Sequence, residues 1–317
     1  MSRHADPDAL RQRQVRADRQ SGDGLRAHLA MLLFILVIST TFPVGEAITA
    51  TLDPIALTFL RFLIATLVLA AVVAANRKWA RPNLKQGLKA SFVGSLLAFY
   101  FIAMFEALRF TSAINTGALF ALIPAMTAAF AWLLLRQTLS RRQLLCLAIA
   151  GCGAIVVLYG DNLAALANLS LGFGERLFLC GCVAFAAYSP FVRKFHGTEP
   201  LSLFTLWVLM GGTMVLFIVG LPVIVQVEWS AVPPSTYAGI VYLAVFPTAL
   251  TFYLAKYASV RLPSGQVMAY TYLLPAFVVI EKTLIGGPLP SQTVVTGVAI
   301  TAAATFLLQW SPKKVPA

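Results

Sequence analysis

The chain has 317 residues, of which 59% are hydrophobic and only 11% charged, with a mean hydropathy of +0.81. These proportions exclude a water-soluble globular domain of ordinary composition. The formal net charge of +12 would suggest nucleic acid in a soluble chain. Here the basic residues form no face interleaved with aromatics, so no nucleic-acid partner is expected.

Residues 1–26 are rich in Arg, Asp, Gln and Gly and read as a disordered basic tail that can touch anionic headgroups. The tail is too polar for a signal peptide, and the apolar stretch after it is too long for a signal core. Ten apolar stretches follow, at approximately 27–49, 55–75, 88–107, 112–135, 143–160, 174–192, 201–224, 237–257, 263–284 and 292–310. Each is about 18–24 residues long, enough for a helix to cross a hydrocarbon core about 30 Å thick. Backbone groups in lipid must be satisfied within the segment, so runs of this kind are helices. The expected fold class is all-α, integral to the membrane. A short C-terminal tail, 311–317, ends the chain.

Lys and Arg cluster in alternate gaps. Twenty lie in the N-terminal tail, the even-numbered gaps and the C-terminal tail; only Arg109, Arg176 and Lys282 lie in odd gaps, and Arg61 falls inside the second stretch. Basic residues are retained on the cytoplasmic side, so both termini are expected there. The cysteines Cys146, Cys152, Cys180 and Cys182 sit in apolar stretches and read as small packing residues, with no metal site or disulfide expected. Ala148, Gly151, Gly153 and Ala154 permit close helix approach, either within the chain or in a homodimer.

Ten helices divide as five plus five, and an odd number per half makes the second half enter from the opposite side, which is the arithmetic of an inverted repeat. Leu97-Ala98-Phe99-Tyr100 corresponds to Leu250-Thr251-Phe252-Tyr253. Pro124 corresponds to Pro275, and Pro43 to Pro190. The expected units are 27–160, helices one to five, and 174–310, helices six to ten.

Several segments carry a family likeness: Ser39-Thr40-Thr41-Phe42-Pro43-Val44-Gly45, Leu60-Arg61-Phe62, Ala107-Leu108-Arg109-Phe110-Thr111-Ser112-Ala113, Tyr188 with Arg193-Lys194, and above all Arg261-Leu262-Pro263-Ser264-Gly265-Gln266-Val267-Met268-Ala269-Tyr270-Thr271-Tyr272-Leu273-Leu274-Pro275. From about residue 30 to 310 the chain resembles the ten-helix, EamA-type permeases of the drug/metabolite transporter superfamily. It departs from them at Arg136-Gln137, where relatives often carry Gly-Glu, and at Ile38-Ser39, where Trp-Gly is common. The resemblance implies a permease in the bacterial inner membrane that exports a metabolite, amino acid or drug-like amphiphile, without a cofactor.

In transporters built this way the solute sits near the midplane, where broken helices expose backbone polar groups. Pro43, Pro124, Pro190, Pro247 and Pro275 are the candidate helix breaks. Hydroxyls, amides and aromatic rings at similar depth make Thr40, Thr41, Tyr100, Asn115, Tyr188, Tyr253, Gln266, Tyr270, Thr271 and Tyr272 the candidate cavity residues, Tyr100 and Tyr272 foremost. Glu46 and Arg61 approach the outer face at comparable depth and form a candidate gate or coupling pair. Glu106 and Arg109 are spaced to pair along one helix. No charge is expected at the midplane, which argues against a strongly anionic solute. An integral-membrane lipid or prenyl transferase would need a carboxylate cluster or base that the spans lack, and a sensor would ordinarily add a soluble domain.

Overall fold

The computed structural model describes residues 24–77, 79–138, 140–160, 171–259, 261–262, 266–267 and 270–309. The expected tail residues 1–23 and 311–317 lie outside them. Among the described residues the chain is helical, without strands.

Eight helices are long and apolar enough to cross a membrane: α1 Gly24–Ile48, α2 Pro54–Ala75, α3 Leu84–Ala107, α4 Ala113–Leu135, α5 Arg141–Tyr159, α6 Phe173–Phe195, α7 Leu201–Ile224 and α8 Pro234–Ser259. Two more follow, α9 Leu274–Leu284 and α10 Gln292–Gln309. The starts of several are fixed by local polar chemistry. The Asp53 carboxylate accepts from Ile55 N before Pro54 opens α2. Asn83 with Gln86 and Ser140 with Gln143 form reciprocal capping boxes on α3 and α5.

Four helices are interrupted. α1 breaks at Thr40, where the hydroxyls of Ser39 and Thr40 lie 2.9 and 2.7 Å from Leu36 O and Val37 O, and Pro43 has no N–H to donate. α4 breaks at Ala121–Leu122, and its second segment, Ile123–Leu135, carries Pro124 as its second residue. α9 follows a 3₁₀ turn, Tyr270–Leu273, and carries Pro275 as its second residue. The two prolines therefore occupy one register, where the missing donor is an orphan in any case. α8 loosens into a π-helical turn at Val245–Leu250 around Pro247. Pro190 differs from its expected role: α6 runs unbroken through it, because a fixed φ near −65° suits a helix and the cost is one backbone hydrogen bond.

α4 ends on Arg136 in the left-handed region, φ 55°, and α9 is followed by Gly286 at φ 87°. The departure from glycine at position 136 thus falls where a helix C-terminus favours glycine.

Glycines set the closest helix pairs. A Cβ on Gly94 of α3 would lie 2.3 Å from Val208 O and 2.5 Å from Gly212 N of α7. On Gly153 of α5 it would lie 2.8 Å from Gly297 O and 2.9 Å from Thr301 N of α10. Gly153 thus serves contact inside the chain, one of the two uses open to the small residues of α5.

Candidate functional site

The bundle has an acidic end, holding Glu46, Glu106, Glu175 and Glu281, and a basic end, where Arg77, Arg81, Lys85, Arg136, Arg141, Arg193 and Lys194 gather at helix termini. The acidic end is sealed by polar contacts between segments distant in sequence. Lys282 Nζ of α9 donates to Glu46 Oε2 of α1 at 2.6 Å, with both side chains about three-quarters buried (23% and 26% exposed). Ser39 Oγ donates to Glu281 Oε1 at 2.6 Å. The Thr111 hydroxyl and the Asn115 amide both donate to Glu175 Oε1 of α6, the amide at 3.0 Å. Thr51 meets Thr236 at 2.7 Å, and Thr40 meets Tyr242 at 2.8 Å, fastening α8 to α1 and its following loop. The Glu106–Arg109 pair forms at 3.1 Å.

α3 packs extensively on both α6 and α7, while α8 touches α1 and α2 far less. The gap left by α8 is a cavity of about 390 Å³ between α2, α7 and α8, floored by Leu97 of α3 and Tyr188 of α6. Its size lies in the range of small-molecule sites. Most of its wall is apolar, with polar groups from Asn76, Tyr188, Ser202, Thr205, Thr248 and Tyr253. Tyr188 stacks on Phe185 with an interplanar angle of 8°. Thr248 belongs to the π-helical turn around Pro247 and donates its hydroxyl to Leu243 O at 3.0 Å.

Of the ten candidate cavity residues, the structure brings Tyr188 and Tyr253 to this cavity. Tyr100 is 3% exposed and packs among Phe101, Phe178 and Phe185, on the face of α3 held against α6 by the close approach of Gly181 to Ala103. Tyr272, 2% exposed, packs with Ala150 of α5 and Ala304 of α10. Depth alone placed these two foremost; rotation about the helix axis turns them into the core instead. Tyr270 meets His28 Nδ1 through its hydroxyl at 2.8 Å, Gln266 and Thr271 are partly buried, and Thr41 is buried. Thr40 and Asn115 belong to the acidic-end contacts.

Glu46 and Arg61 do not pair. Glu46 takes Lys282, and Arg61 turns inward to 2% exposure, its guanidinium carbon 4.0 Å from the centre of the Phe101 ring and its Nη2 donating to Thr248 Oγ1 at 3.3 Å. Residue spacing gave no sign of Lys282 as the partner, since it stands 236 positions from Glu46. Asn76, Ser202, Thr205 and Thr248 were also missed, being ordinary polar residues with no distinguishing pattern.

The EamA-like transporter family matches twice, at residues 25–159 and 172–309. The chain belongs to this family. The chain is similar to the uncharacterized transporter YyaM of Bacillus subtilis, 23% identical over 280 residues, covering 87% of this chain and 91% of that protein. An uncharacterized transporter of Archaeoglobus fulgidus is 25% identical over 287 residues, 89% and 96% of the two chains. A solved crystal structure superposes with a TM-score of 0.64 at 20% identity, over 90% of this EamA chain and 96% of that one, a likeness of fold. The protein is a multi-pass membrane transporter built from two EamA repeats.

Proposed function

We propose that the protein is a secondary transporter that moves a small amphiphilic metabolite, amino acid or drug-like solute by alternating access, and that it works as an exporter. The observation that carries this reading is the unequal closure of the bundle: contacts seal the acidic end, while a cavity opens between α2, α7 and α8 toward the basic end. In this reading all ten helices span the membrane as two five-helix halves, 27–160 and 174–310, in opposite orientation. The basic end and both termini face the cytoplasm, in keeping with the distribution of Lys and Arg. The cavity then faces the cytoplasm, the side from which an exporter loads. The hinges are the paired breaks at Pro124 and Pro275, with the π-helical turn at Pro247. Opening the acidic end requires the Glu46–Lys282 pair to part.

The test is flux in proteoliposomes, with and without an imposed proton gradient, across a panel of amino acids and amphiphiles. Ala249 lines the cavity, and Ala249→Trp fills it. Flux of a panel solute that is lost in Ala249→Trp, with the variant folded, is the expected result. No flux across the panel from folded, correctly oriented protein, or flux unchanged by Ala249→Trp, overturns the reading.

A further inference from the structure

Arg61 is the eighth residue of α2, about 10 Å along the axis from its first turn. It is 98% buried, and no carboxylate among the described residues pairs with it. Nη2 has the Thr248 hydroxyl at 3.3 Å, and Nη1 is buried with no hydrogen-bond partner among the described residues. The ring centres of Phe101 and Phe105 lie 4.0 and 5.8 Å from the guanidinium carbon. A cation–π contact offsets part of a desolvation cost, whereas a buried guanidinium with an empty donor is stabilised far more by an anion. An intramembrane charge without a counter-charge among the described residues points to a functional role.

The position fits that role. Thr248, the hydroxyl that Arg61 touches, lines the cavity, as do Ala65, one helical turn on from Arg61, and Leu97, one turn before Phe101. The guanidinium lies directly behind the cavity wall, against its lining residue Thr248, on the side of the sealed acidic end. We propose that Arg61 is the anion-binding group of the solute site, and that the solute is a monocarboxylate with an apolar body. One cation matches one carboxylate, and the mainly apolar walls accept the rest of such a molecule. A phosphate dianion would call for more positive charge than this cavity holds. The inference rests on the reading of the cavity as the solute site.

The experiment is calorimetric titration of the full-length protein in lipid nanodiscs at pH 7.5 with 3-phenylpropionate and with its neutral isostere, 3-phenylpropanamide. The carboxylate should bind about tenfold or more tightly than the amide, the ratio expected of a charge-assisted hydrogen bond. Arg61→Gln should bring the two to about equal affinity with amide binding retained, and Arg61→Lys should keep much of the preference. Thr248→Glu supplies the guanidinium with a carboxylate of its own and should also erase the preference, which covers an Arg61→Gln protein that fails to fold. Equal binding of acid and amide by the unaltered protein, or a preference that survives Arg61→Gln or Thr248→Glu, overturns the anion subsite and leaves the cavity as a solute site. Binding of neither compound overturns both.

Discussion

The Glu46–Lys282 pair offers a quantitative test of how the acidic end is held shut. Lys282→Met removes the cation while keeping an unbranched apolar stem. Among the described residues it leaves the Glu46 carboxylate with a long contact of 3.4 Å from Ala113 N. A hydrogen bond between charged groups is worth about 1.5–3 kcal/mol net, and with both side chains about a quarter exposed the lower half of that range applies. A loss of about 2 kcal/mol raises the open-to-closed ratio at this end about thirtyfold. Thr41, 3% exposed and five residues before Glu46 on α1, reports the opening. In a background where the four native cysteines are replaced, Thr41→Cys is labelled from the acidic side by a membrane-impermeant maleimide. The labelling rate should rise about tenfold to thirtyfold in Lys282→Met, and the charge-swapped double variant Glu46→Lys with Lys282→Glu should restore slow labelling. A rate unchanged by Lys282→Met would show that the pair does not hold this end, and the assignment of a latch would fail.

Arg136→Gly should raise thermal stability by about 1 kcal/mol, because the left-handed φ of 55° is strained for a residue with a Cβ and free for glycine; an unchanged or lower melting temperature contradicts this. Tyr100→Ala empties a fully packed site between α3 and α6 and should cost about 3 kcal/mol or more of stability. Its defect should appear as reduced thermal stability in purified protein, and a variant as stable as the parent that has lost flux would return Tyr100 to the solute path.

The positions of the helices were legible because polar gaps interrupt long apolar runs, and the predicted ranges for α2, α4, α5 and α7 fall within two residues of the observed ones. The breaks at Pro124 and Pro275 were visible for a chemical reason, since proline removes a donor wherever it stands. Facing was the hidden variable. α7 is apolar on all sides, and in lipid no polar stripe marks the outward face, so periodicity could not show which way a residue turns. Tyr100 and Tyr272 were placed foremost by depth and turned out to face neighbouring helices, whereas Tyr188 and Tyr253, ranked below them, line the cavity. Arg61 shows the same limit more sharply. Counting along α2 placed it near the outer face, where it was expected to meet Glu46, and its side chain turns instead to Phe101 and Thr248 in the interior.

The glycine-lined meeting of Gly153 with Gly297 and Thr301 bears on how the protein can be handled. α5 and α10 hold equivalent places in the two repeats, so if the halves exchange shapes during a cycle, this pair is carried onto itself. Its backbones come within contact distance, with only the methyl groups of Thr301 and Val157 beside them. In that reading the pair would serve as an axle for the motion proposed above. A covalent staple across it would tether the halves without favouring either facing, making it the natural anchor for a binder or rigid fusion meant to leave transport running.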